Sequence, residues 1–76
     1  MKGLLEYIVK AIVDAPESVT IKEVLGEKAV VFEIRVAESD IGKVIGRNGR
    51  IINAIRTLVR AAAVKEGKKV SVELIG

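Results

Sequence analysis

The stretch Ile41-Gly42-Lys43-Val44-Ile45-Gly46-Arg47-Asn48-Gly49-Arg50-Ile51-Ile52 carries three glycines and three cationic side chains within a framework of β-branched apolar residues. Gly46 and Gly49 bracket Arg47 and Asn48, two polar residues that no core requires. Glycines placed this way let the backbone of a ligand approach the main chain closely. A turn between two helices would by itself account for the glycine pair, but the charge around it goes further. Four of the five arginines lie between Arg47 and Arg60, Lys43 stands just upstream, and no acidic residue falls between positions 43 and 60. Such a segment is suited to holding a polyanion by contact and charge, with no covalent step. Asn48 has two readings, a contact to that polyanion or a residue that tolerates an unusual backbone angle.

The composition argues against catalysis and metal binding. The chain has no cysteine and no histidine, so it lacks thiolate ligands, disulfides, and the commonest general base and metal ligand. The glycines from Gly42 to Gly49 do not have the spacing of a dinucleotide-binding G-x-G-x-x-G, and no G-K-[ST] of a phosphate-binding P-loop is present. The carboxylates are scattered, with no pair placed by sequence near the glycines. No catalytic residue, metal ligand or cofactor is therefore expected.

The elements around the motif must hold it at a surface. Ile41, Val44 and Ile45 follow the i, i+3, i+4 spacing of a short helix, which Ser39 or Asp40 can N-cap and Gly46 ends. From Arg50 onward, a helical projection places Ile51, Ile52, Ile55, Leu58, Val59 and Ala62 on one arc, with Arg50, Asn53, Arg56, Thr57 and Arg60 on the other. The start of this second helix presents backbone N–H groups and the positive end of the dipole beside the glycines. It should end near Lys65-Glu66-Gly67, where Gly67 suits a C-terminal cap.

The flanking segments supply a sheet and one further helix. Leu4, Leu5, Ile8, Val9, Ile12 and Val13 predict an amphipathic helix from about residue 2 to 14, stopped before Pro16. Tyr7 lies near its polar arc, either packing at an edge or free to stack on a base. A first strand is expected over Ser18–Leu25, with Val19 and Ile21 on one face. A second follows the turn Gly26-Glu27-Lys28, with Val30, Phe32, Ile34 and Val36 alternating against Val31, Glu33 and Arg35. The short connection makes this pair an antiparallel hairpin. Lys68 to Ile75 predicts a third strand, with Val70, Val72 and Leu74 inward, that returns parallel to the second by a right-handed crossover. The predicted fold is a single α+β domain over residues 1–76 in the order α-β-β-α-α-β. It has a three-stranded mixed sheet, helices on one face, and Val31, Glu33, Arg35, Ser71, Glu73 and Ile75 on the other.

Chains of 76 residues have small cores, and this one is aliphatic, with half its residues hydrophobic and only Tyr7 and Phe32 aromatic. No segment reaches the roughly 18–20 apolar residues of a membrane span, and the N-terminus leads directly into an amphipathic pattern, so a soluble, unexported protein is expected.

Ile-Gly-Lys-Val-Ile-Gly-Arg-Asn-Gly-Arg, residues 41–50, resembles the signature of the KH domain, whose G-x-x-G loop clamps the backbone of about four unpaired nucleotides. The element order resembles the bacterial, type II form, and the size resembles the single-domain KhpA family; the likeness covers essentially the whole chain. It implies single-stranded RNA as ligand, with single-stranded DNA left open by the residues. Gly46, Arg47, Asn48 and Gly49 would form the loop, and Arg47, Arg50 and Lys43 would supply charge. Ile41, Val44 and Ile45, with Ile34 or Val36 from strand two, would form an apolar floor; Gly42 completes the motif, and Asn53 and Arg56 are secondary contacts. With few aromatics for stacking, weak binding and low sequence specificity are expected. The resemblance further implies a cytoplasmic RNA chaperone that forms homodimers and pairs with a larger KH-containing protein, KhpB (Jag/EloR). That pair is linked in some bacteria to cell-wall synthesis and cell elongation. A different reading makes the domain chiefly a protein-assembly module, with the glycine loop at an interface.

Overall fold

A computed structural model describes residues 1–76. Its elements are α1 (Lys2–Ile12), β1 (Thr20–Leu25), β2 (Ala29–Arg35), α2 (Ile41–Ile45), α3 (Arg50–Val64) and β3 (Lys69–Ile75), with 3-10 turns over Pro16–Ser18, Glu38–Asp40 and Arg47–Gly49. The sheet order is β1-β2-β3, with β1 antiparallel and β3 parallel to the central β2. This is the expected topology, and it follows from connection length. Gly26 N–H donates to Ala29 O at 2.8 Å to close a tight hairpin, whereas the return to β3 needs the two-helix crossover.

Alternation along β2 decides which face is covered. Val30, Phe32 and Ile34 are buried, and in register with them lie Ile21 of β1 and Val70 and Val72 of β3. Helix α1 packs over β1 and α3 over β3, closing a core of Leu5, Val9 and Val13 from the first segment, Val44 from α2, and Ile52, Ile55, Val59 and Ala63 from α3. The opposite face carries Lys22 across from Glu33 and Glu33 beside Glu73, an open polar surface. Beyond Val64 the chain closes as a Schellman motif: Gly67, at φ 67°, donates its N–H to Val64 O, and Lys68 N–H donates to Ala63 O. No helix is long and apolar enough to cross a membrane.

The structure differs from the pattern reading at the end of α1, the start of β1 and the buried face of α3. Helix α1 stops at Ile12, not residue 14, because the N–H groups of Asp14 and Ala15 donate to the Asp40 carboxylate and so cannot continue the helical ladder. Val13 is extended but still buried. Strand β1 starts at Thr20, since Pro16–Ser18 forms a 3-10 turn with proline at its start. The buried stripe of α3 is Ile52, Ile55, Val59 and Ala63, leaving Ile51 and Leu58 38% and 53% exposed. A three-stranded sheet is too narrow to cover the whole apolar arc.

Candidate nucleic-acid interface

The site begins at Asp40, the one fully buried charged side chain. It occupies the residue before α2, where an N-cap was expected, yet it makes no cap hydrogen bond. Instead one carboxylate oxygen accepts the Asp14 N–H at 3.1 Å and the other the Ala15 N–H at 3.0 Å, tying the end of the first helical segment to the start of α2. These bonds, the Asp14 N–H foremost, hold the Asp40 pKa below its ordinary value against the opposing effect of burial, with Lys43 adding to the lowering. The Lys43 ammonium pairs with Asp14 and lies 3.5 Å from Asp40 Oδ1. Its pKa is raised, mainly by the hydrogen bond to Asp14.

Helix α2 ends at Gly46, whose N–H donates to Gly42 O at 2.9 Å. Gly46 sits at φ 75°, ψ 172°, a region essentially reserved for glycine. A Cβ there would stand 2.6 Å from Ile51 Cγ1 and 2.9 Å from the Ile51 nitrogen, so side chain and loop cannot coexist. Asn48 (φ 57°, ψ 26°) and Gly49 (φ 73°, ψ 15°) are both left-handed, and Gly49 N–H donates back to Gly46 O at 3.1 Å. The turn therefore holds Arg47 and Asn48 outward and exposed. Gly49 occupies the N-cap position of α3 and has no side chain to cap it, leaving the positive end of a fifteen-residue helix beside the loop.

Of the expected site residues, the fold brings Gly46, Arg47, Asn48, Gly49 and Arg50 together at one surface, with Ile45 exposed and Ile41 and Val36 half-buried. Gly42 is exposed on α2, and its carbonyl is taken by Gly46. Two assignments are corrected: Val44 and Ile34 are wholly buried, both packed into the core, so neither offers a floor to a base. Their apolar character marked them for the groove, but the same character is what the interior takes. Lys43 is half-exposed but committed to two carboxylates.

Asn53 is exposed, and its Oδ1 accepts a long bond of 3.4 Å from Arg56. Arg56 Nε donates to Val72 O at 3.1 Å, strapping α3 to β3, the edge strand. Sequence reasoning missed what lies further along. Where α3 ends and β3 begins, Arg60, Ala63, Val64, Lys68, Lys69, Val70 and Ser71 line a hollow of about 340 Å³. The Lys68-Lys69 pair after a helix-ending glycine was the available signal. A fifteen-residue helix spans about 22 Å, so the polar face of α3 connects two basic ends.

The family model described as "KhpA/KhpB, KH domain" matches residues 2–74, which include the loop, both flanking helices and nearly all of the sheet. The chain belongs to the KhpA/KhpB KH-domain family. Among its relatives, the RNA-binding protein KhpA of Clostridium perfringens is 57% identical over 75 residues, covering 99% of this chain and all of that protein. KhpA of Clostridium acetobutylicum is 56% identical with the same coverage. KhpA of Chlamydia trachomatis is 51% identical over 99% of this chain and 96% of its own length. The α-β-β-α-α-β order, with β3 parallel to β2, is that expected of a type II KH domain.

Proposed function

We propose that the chain binds single-stranded RNA without catalysis, with the Gly46–Gly49 loop against the sugar-phosphate backbone. The observation that carries this reading is the loop itself: a backbone only glycine can adopt at Gly46, opening an exposed Arg47-Asn48 at the uncapped start of α3. Arg47 and Arg50 supply the free positive charge, and Ile45, Ile41 and Val36 offer aliphatic contact to bases. The polar face of α3, through Asn53 and Arg56 to Arg60, continues the path toward Lys68 and Lys69. Aliphatic contact discriminates poorly among bases, so sequence specificity is low. Relatives named as RNA-binding proteins support RNA as the ligand. Family membership supports a finer reading, a cytoplasmic RNA chaperone acting with a KhpB-like partner and linked to cell elongation.

The test is the salt dependence of binding to an unstructured RNA. Three phosphates neutralised on a single strand predict a log–log slope of about −2. A flat response would remove the electrostatic basis of the proposal.

A second reading, self-assembly, is favoured by one observation. The flank of α3 carrying Ile51, Ala54, Leu58 and Ala61 is apolar and exposed. Leu58→Glu with mass measured by light scattering tests it: a fall to monomer supports assembly, and an unchanged mass opposes it.

A further inference from the structure

We infer that Asp14 limits the affinity of the glycine-loop surface for polyanions by occupying Lys43. The inference rests on the RNA-binding reading. Lys43 is the only cation on α2 and stands three residues before Gly46. It is shared between Asp14, whose side chain is 79% exposed, and buried Asp40.

The two carboxylates have different duties. Asp40 is held by two backbone N–H groups and anchors α2, so its charge belongs to the fold. Asp14 lends the fold its backbone N–H, but its side chain pairs with Lys43 alone. Its negative charge is therefore surplus to structure. One ammonium against two carboxylates leaves the base of the loop locally negative, beside Arg47 and Arg50, which attract phosphate.

An exposed ion pair is worth little in itself, so Lys43 can exchange a carboxylate for a phosphate. Every binding event that recruits Lys43 must compete with Asp14 and then hold phosphate near an unpaired carboxylate.

The experiment is RNA binding by the full chain carrying Asp14→Asn, measured by fluorescence anisotropy across a salt series. The side-chain swap is nearly isosteric, at an exposed position, and keeps the backbone bond to Asp40. Tighter binding by about threefold to tenfold at low salt is expected, with the slope steeper by about 0.7 as one more phosphate is neutralised. Adding Lys43→Met to Asp14→Asn should cancel the gain. Glu23→Gln, the same charge change on β1, the edge strand away from α3 and β3, should leave binding unaltered. Unchanged affinity and slope in Asp14→Asn, a gain that survives Lys43→Met, or an equal gain from Glu23→Gln would each overturn the inference. Arg47→Asp/Asn48→Asp in the same series separates the two levels. If it binds as the wild type does, the RNA site itself is misassigned; if it fails to bind while Asp14→Asn is neutral, only the role of Asp14 falls.

Discussion

Gly46 and Ile51 are packed so closely that a Cβ on the glycine would lie 2.6 Å from Ile51 Cγ1 and 2.9 Å from the Ile51 backbone nitrogen. The glycine loop is thus fixed on one side by the first turn of the helix it introduces. Gly49, by contrast, has nothing nearer than 3.6 Å from where its Cβ would stand. Only its left-handed backbone resists substitution.

The two glycines should separate in a stability measurement. Gly49→Ala is expected to cost about 1–2 kcal/mol, the usual penalty for a left-handed alanine. Gly46→Ala combines a glycine-only conformation with a backbone collision and should cost more than about 3 kcal/mol. For a chain of this length, total stability is about 4–11 kcal/mol, so the second variant approaches the limit of folding. Denaturant melts of both variants check the order, and equal losses would contradict the account of Gly46.

Asn48, at φ 57°, answers the question its sequence position raised about backbone angle. Asn48→Gly should be neutral within about 0.5 kcal/mol or slightly stabilising, while Asn48→Val should lose about 1–2 kcal/mol. RNA binding then isolates the side chain. If Asn48→Gly keeps its stability and loses affinity, the amide touches the ligand; if affinity also stays, the residue serves the turn alone.

Asp40 makes acid stability predictable in sign. Its folded pKa lies below the ordinary 3.8, chiefly through the Asp14 N–H, so the stabilisation is complete above 3.8 and is lost as pH falls through the lower folded value. Asp40→Asn keeps the shape, removes the charge and leaves one acceptor oxygen for the two N–H groups. Thermal melts should show wild type above the variant at neutral pH, with the gap closing only below pH 3.8. A gap independent of pH would mean that the carboxylate charge contributes nothing.

These positions also mark how far the sequence could be read. Strand β2 was legible because Val30, Phe32 and Ile34 alternate without interruption, and burial on a pleated sheet has a period of two. The glycine loop was legible because Gly46 and Gly49 separate exposed polar residues from apolar helix stripes. Asp40 was misjudged as a cap, since a local rule weighs the nearest N–H groups and its real partners lie 25 and 26 residues away. Those same bonds shortened α1, an effect no helix signal within residues 2–14 carries. Val44 was assigned to a ligand groove because hydrophobicity alone does not say which residues of a short helix a small core will claim, whereas for Ile34 the alternation with Val30 and Phe32 already pointed inward and the groove assignment ran against it. The hollow at Arg60, Lys68 and Lys69 needed the parallel return of β3 to bring it together.

The central claim, that the glycine loop is where RNA sits, is tested most directly by Arg47→Asp/Asn48→Asp. Fluorescence anisotropy of a labelled unstructured RNA would be recorded for wild type and variant, with mass by light scattering on the same samples. Both side chains are exposed, so the loop can carry the new carboxylates, which would face phosphates. The account predicts loss of RNA binding at unchanged mass. RNA binding that persists unchanged would contradict it, and a fall in mass would contradict it and place the loop on an assembly surface instead.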